Sequence, residues 1–154
     1  MKTHIEIKDL RKTYVSRKTS TIEAIKSIDL QINTGEFVAV VGPSGCGKST
    51  LLSLIGGLLK PTSGRISIKN QSVEHARLHK EFGYVFQKPS LLPWRTVLEN
   101  VCLPLEIINK NSSKSNNTSR AEDILKKVDL FQYKDNLPSE LSGGMQQRVA
   151  IARA

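Results

Sequence analysis

Residues Gly42-Pro43-Ser44-Gly45-Cys46-Gly47-Lys48-Ser49, followed by Thr50, satisfy the spacing G-x-x-x-x-G-K-[ST]. No other segment constrains the fold as strongly. Its glycines let the backbone curl so that successive N–H groups point inward, a nest for anions. A helix starting near Lys48 aims its positive end at the same place. Lys48 offers a point charge to outer phosphates, and the Ser49 hydroxyl is a hard oxygen ligand suited to Mg²⁺. Such a loop belongs between a buried strand and a helix. Phe37 to Val41 is an unbroken apolar run, which predicts a parallel strand covered on both faces. Lys48 to about Leu59 predicts the helix, closed by Pro61 and Gly64. Residues 42–50 are therefore expected to bind nucleotide phosphates.

The bulk properties narrow the context. A chain of 154 residues can bury one sizeable core and is short for two. Hydrophobic content of 38% and charged content of 24% exclude a disordered chain. The longest apolar stretch, Leu51 to Leu59, is broken by Gly56 and Gly57 and falls far short of the roughly 20 residues of a membrane span. The N-terminus alternates polar and apolar residues and has no signal-peptide core. Any membrane role must then come through a partner, and a reducing cytoplasm is the expected compartment. Cys46 and Cys102 have no metal-site spacing. The net charge of +9 is scattered, without a run of five or six basic residues, so nucleic acid is not an expected partner.

Residues 3–9 and the alternation Ile28, Leu30, Ile32 predict antiparallel strands with one wet face. Arg65 to Lys69 predicts a short strand ending in a polar turn at Asn70-Gln71, and Phe82 to Phe86 a further buried strand. Thr96-Val97-Leu98-Glu99 is a capping box that should open a helix with Val97, Val101 and Leu105 on one side. Pro104 should kink or end it. Residues 109–119 are polar and low in complexity, which predicts a mobile exposed loop. Ser119-Arg120-Ala121-Glu122 is a second capping box, opening a helix that buries Ala121, Ile124, Leu125 and Val128. A last helix should start near Ser142.

Leu141-Ser142-Gly143-Gly144, followed by Met145-Gln146-Gln147-Arg148, places a hydroxyl and two glycine N–H groups at that helix start, a second phosphate-binding surface. Together with the phosphate loop, this motif resembles the signature of the ATP-binding-cassette (ABC) family, and the likeness covers nearly the whole chain. It implies an α/β fold: a P-loop NTPase core with a mixed sheet and N-terminal antiparallel strands, plus a helical subdomain, incomplete at the C-terminus. Within a partial ATP-binding domain 1–154, residues 1–87 would form the β region and core, 88–140 the helical subdomain, and 141–154 the signature and its helix. ATP and Mg²⁺ are the implied cofactors, with Ser49 and Gln87 toward the metal. Tyr14 resembles the aromatic residue that stacks on adenine. Gln87, leaving the run Phe82–Phe86, resembles the Q-loop glutamine that senses Mg²⁺ and the γ-phosphate.

The resemblance also implies partners. Two such domains would pair head to tail, as a homodimer, so that Leu141, Ser142, Gly143, Gly144 and Gln146 act on ATP held by the other chain. Transmembrane permease subunits and a substrate-binding protein would complete an importer, with this subunit peripheral on the cytoplasmic side of the inner membrane. GPSGCGKSTLL, VFQKPSLLPWRTVLENV and LSGGMQQRVAIARA look like the ATPase subunits of nitrate/sulfonate/taurine-type importers, with Leu92-Pro93-Trp94 the most suggestive piece. An exporter ATPase or a soluble, non-transport ABC ATPase is the alternative. The family's Asp-Glu pair and switch histidine have no counterpart here, since His4, His75 and His79 all precede Gln87. No catalytic residue is assigned, and the 154 residues are expected to bind nucleotide without turning it over.

Overall fold

The computed structural model describes residues 2–15, 21–108 and 114–154. They form two compact units, 1–82 and 83–154.

The first unit is built on a four-stranded sheet in the order β2-β1-β3-β4, in which every described pairing is antiparallel. β1 (Thr3–Val15) and β2 (Thr21–Asn33) are longer than the alternating segments alone suggest. Both run past the alternation because their ladder continues to Val15 opposite Thr21. Irregular register between Ile7 and Leu10 coincides with Asp9, whose φ of 44° is a left-handed kink. Asp29 Oδ1 accepts the Asp9 N–H at 2.8 Å, and Asp9 Oδ1 accepts the Ser27 hydroxyl at 2.9 Å. The kink is thereby satisfied locally. β3 (Ser63–Ile68) turns through Lys69 and Asn70, both at positive φ, into β4 (Gln71–Ser72).

Two helices cover this sheet. α1 (Lys48–Ile55) buries Leu51 and Leu54 with Ile7, Leu10 and Ile25. It ends four residues before the expected Leu59. Gly57 adopts a φ of 64°, its N–H donates to Leu54 O, and the Leu58 N–H donates to Ser53 O at 2.9 Å. That pair of bonds is a Schellman stop, which no side-chain pattern downstream can override. α2 (Val73–Leu78), not anticipated from the sequence, is capped by Ser72 Oγ accepting from the His75 N–H. Val73 and Ala76 bury against Ile68.

Two expected strands are not formed. Phe37–Val41 is irregular, with Phe37 97% and Val41 91% exposed. A parallel strand needs ladder partners and cover on both faces, and none of the described strands supplies them. The run Phe82–Phe86 is irregular as well, and it is divided between the units: Phe82 packs against the α2 cluster, whereas Gly83 onward belongs to the second unit.

The second unit is a helical cluster of α3 (Val97–Ile108), α4 (Lys114–Lys127) and α5 (Gly143–Arg153) around Val97, Val101, Ala121, Leu125, Leu130 and Val149. The Thr96–Glu99 capping box is present: Glu99 Oε2 accepts the Thr96 N–H at 2.9 Å and Thr96 Oγ1 accepts the Glu99 N–H at 3.2 Å. Pro104 does not end α3, which runs on to Ile108. Val97 and Val101 before it and Leu105 after it join one core, and that packing outweighs the roughly 3 kcal/mol a proline costs inside a helix. Ser119 does not start α4, which begins at Lys114. Asn117, only 6% exposed, draws the preceding turn into the core, so residues 114–119 are helical rather than a loop. The expected loop's residues 109–113 lie outside the described residues. Glu122 instead pairs with Lys134 at 2.7 Å, which lifts the Lys134 ammonium above its ordinary pKa.

Asn100 is fully buried and organises the segment ahead of α3. Its Oδ1 accepts the Leu92 N–H at 2.8 Å, while Nδ2 lies 3.1, 3.0 and 2.9 Å from the carbonyls of Leu92, Arg95 and Thr96. Asn100→Leu keeps the branched side-chain shape but orphans these groups, and is expected to lower the unfolding free energy in urea titration by about 2–4 kcal/mol. A loss below about 0.5 kcal/mol would show that the segment does not lean on this side chain.

Candidate nucleotide-binding site

The first unit places residues 42–50 as a loop closing into α1. Pro43 O accepts the Cys46 N–H at 3.4 Å, and the helix ladder begins with the Leu51 N–H donating to Gly47 O at 2.8 Å. Gly47 is the N-cap residue at φ 98°. A Cβ there would sit 2.6 Å from the carbonyl oxygen of Ala24 on β2. Only glycine permits both that conformation and that approach. Gly45 at φ 80° supplies the other left-handed residue of the curl.

The electrostatics suit an anion. α1 has no acidic residue in its first turn and no side-chain cap, so its leading N–H groups keep their positive end undiluted. Lys48 folds back over the loop, its Nζ donating to Gly42 O at 2.7 Å and Pro43 O at 2.6 Å, with Cys46 Sγ at 3.6 Å. The ammonium is thus held inside the curve of the nest. A cleft of about 520 Å³ opens alongside, lined by Ala24 and Ile25 of β2, by Val40 and Val41, and by Gly45–Lys48. That size suits a small organic ligand. Ser49, exposed on the first turn of α1, makes no hydrogen bond through its hydroxyl among the described residues. One hard oxygen beside a phosphate nest fits Mg²⁺, which takes few protein ligands and keeps its waters. Among the described residues no group of three or more His, Cys, Asp or Glu converges for a metal.

Tyr14 lies near the end of β1, opposite Ile22 in the ladder, 39% exposed, with Lys12 Nζ 5.2 Å from its ring centre. It does not line the cleft, although Ile22 does.

The other predicted residues lie in the second unit. Leu141 is buried in the helical core, and Ser142 caps α5 by accepting the Met145 N–H on Oγ at 3.3 Å. Gly143 and Gly144 are exposed, and a Cβ on either would meet nothing within 4 Å. Nothing among the described residues requires glycine there. Gln146 is turned inward, its Nε2 donating to Pro138 O at 3.0 Å and Leu141 O at 3.2 Å, and so holds the approach to the motif. Gln87 is exposed in the irregular segment that replaces the expected strand.

Two residues that sequence reasoning did not single out hold that segment. Gln147 Nε2 donates to Phe86 O at 3.3 Å, and Arg153 donates to Ser90 O and Pro89 O, each at 2.9 Å. No carboxylate pairs with Arg153 among the described residues, and burial pulls its guanidinium below the usual range. Only their place on the motif helix, Gln147 within the motif run and Arg153 at its end, marked them in the sequence.

The two glycine sites make opposite predictions. Gly47→Ala is expected to cost about 2 kcal/mol or more in thermal or urea unfolding, because it strains φ and meets a backbone carbonyl. Gly144→Ala should leave stability unchanged or raise it by up to about 1 kcal/mol, since it adds a Cβ to a helix turn in open space. Equal losses at both positions would contradict this reading of the two motifs.

Comparison with known proteins agrees with the geometry. The sequence pattern of the family described as "ABC transporter" matches residues 25–154. The chain is 46% identical to the nitrate import ATP-binding protein NrtD of Synechocystis, over 98% of this chain and 55% of that protein. It is 44% identical to the methionine import ATP-binding protein MetN 1 of Bacillus cereus, covering 97% of this chain and 44% of that protein. It is 41% identical to the macrolide export ATP-binding/permease protein MacB of Syntrophobacter fumaroxidans, over 97% and 22%. The chain thus spans about half the length of the two importer subunits it matches. The solved dimer of the ATP-binding cassette MJ0796 bound to ADP and Pi superposes with a TM-score of 0.89 at 40% identity, covering 97% of this chain and 68% of that one. The chain has the ABC cassette fold and belongs to the ABC transporter ATP-binding family.

Proposed function

We propose that these residues form the ATP-holding part of a subunit that energises a membrane transporter, with Gly42–Thr50 gripping the phosphates and Ser49 facing Mg²⁺. The observation that carries this reading is the loop itself: a glycine-built nest at an uncapped helix start, with the Lys48 ammonium folded into it. The loop would bind and orient the phosphates, Lys48 would exchange its carbonyl partners for phosphate oxygens, and Mg²⁺ would supply charge neutralisation when bound.

Tyr14 is the proposed adenine-stacking residue, and Gln87 the residue that responds to Mg²⁺ and the γ-phosphate. The motif Leu141–Gly144 with Gln146 is proposed to complete ATP bound by a second copy of the subunit. Two findings support that pairing: a solved relative is dimeric, and no described residue comes close enough to Gly143 or Gly144 to require glycine. Permease subunits are the proposed membrane partners, contacted through residues 88–140, and a substrate-binding protein would deliver the solute. No described helix is long and apolar enough to cross a membrane, which fits a peripheral place on the cytoplasmic side of the cell membrane.

Import of a small anionic or organic solute is the reading favoured by the importer relatives and by Leu92-Pro93-Trp94. The nitrate/sulfonate/taurine type is not singled out, because a methionine importer matches at nearly the same identity as a nitrate importer. Export is the second reading, favoured by 41% identity to a macrolide exporter.

Equilibrium dialysis of the chain with labelled MgATP tests the site. Lys48→Ala is expected to weaken binding by about tenfold or more, the loss of one charge-assisted contact. Undiminished binding in that variant, or none in the parent chain, would overturn the proposal.

A further inference from the structure

Gln87 occupies a segment without regular structure, yet the carbonyls on both sides of it are held. Phe86 O, immediately before it, accepts from Gln147 Nε2 at 3.3 Å. Pro89 O and Ser90 O, just after it, accept the two arms of the Arg153 guanidinium at 2.9 Å each. A planar fork on two consecutive carbonyls fixes direction as well as distance, which a single flexible ammonium cannot do. Arg153 has no carboxylate partner among the described residues, so these carbonyls are where its donors go. Ser90 is itself held at φ 49°, a left-handed conformation that persists where the surroundings over-determine it. A third contact closes the set: a Cβ on Gly83 would run into the carbonyl of Ala154.

The two side-chain grips come from α5 and the backbone approach from Ala154, its C-cap; the same helix begins at Gly143-Gly144 behind its N-cap Ser142. Along a helix of 11 residues, its N-terminus carries the glycine motif while its later turns hold the neighbours of Gln87. We propose that Gln147 and Arg153 are positioning residues that yoke Gln87 to α5, so that the glycine motif and Gln87 move as one body. The inference rests on the reading of both as nucleotide-responsive groups. It adds that their responses are mechanically shared, and that Arg153, which holds only backbone carbonyls of this segment, sets where Gln87 points.

Nitrogen-15 relaxation of the full chain tests the yoke at Gln87 and Lys88. In the parent chain both amides should show order parameters near 0.85, the value of rigid backbone, despite lying outside any helix or strand. Arg153→Gln and Gln147→Leu should each let Gln87 fall toward about 0.6, with Val149 and Leu125 unchanged as a check on the core. Arg153→Lys, which keeps charge and length but not the fork, should recover part of the rigidity. A Gln87 already mobile in the parent chain overturns the proposal, as does one equally rigid in Arg153→Gln and Gln147→Leu. If Arg153→Gln fails to fold, Gln147→Leu and Arg153→Lys decide. Adding MgATP to the same samples reports on the underlying reading: absent shifts at Gly45 and Gly47 sink the nucleotide site while the order parameters still judge the yoke.

Discussion

Gly47 comes so close to the carbonyl of Ala24 that no side chain fits between loop and sheet. The phosphate loop depends on this contact. Phe37–Val41, the segment leading into the loop, makes no ladder with the described strands, so the loop is placed from the other side. Gly47 sets it against β2, and α1 then drops Leu51 and Leu54 onto Ile7, Leu10 and Ile25. Burying two leucines contributes roughly 3–6 kcal/mol, enough to hold the helix whose amide end points at the loop. Backbone approach and core packing thus act on the same two turns.

In the second unit, four polar side chains are spent on backbone groups of irregular segments. Asn100 fixes the segment from Leu92 to Thr96, Gln146 the approach to Ser142, and Gln147 and Arg153 the neighbours of Gln87. Each replaces ladder bonds that an irregular segment cannot make for itself. The apolar core of α3, α4 and α5 supplies a rigid base, and these side chains extend its order into the loops. Residues that lack an internal reason for their identity, above all Gly143 and Gly144, stand out against this background.

Local chemistry was readable where it is self-contained. The Thr96–Glu99 capping box forms because both partners lie within four residues and need nothing else. The same pattern at Ser119 fails because burial of Asn117 carries the helix upstream, leaving no free helix start to cap. Pro104 was read by its intrinsic cost, but Val97 and Val101 before it and Leu105 after it hold the helix in one core. The early stop of α1 was written in Gly56-Gly57, and was missed because the apolar pattern continues through Leu58 and Leu59. α2 was missed because six residues give too little periodicity to read.

The sequence by itself determined the chemistry of the loop and of the glycine motif: which residues can curl, which carry charge, and where two helices begin. Those properties follow from short-range geometry, and a few consecutive residues contain all of it. Tertiary structure alone decided that Gly47 is required by Ala24 as well as by its own φ, that Gln146 faces inward, and that Arg153 reaches back across more than sixty residues to Pro89 and Ser90. It also decided that Phe37–Val41 stays exposed. An apolar run announces that it can be a strand, but a strand exists only when another offers it hydrogen bonds, and that partner is a property of the fold.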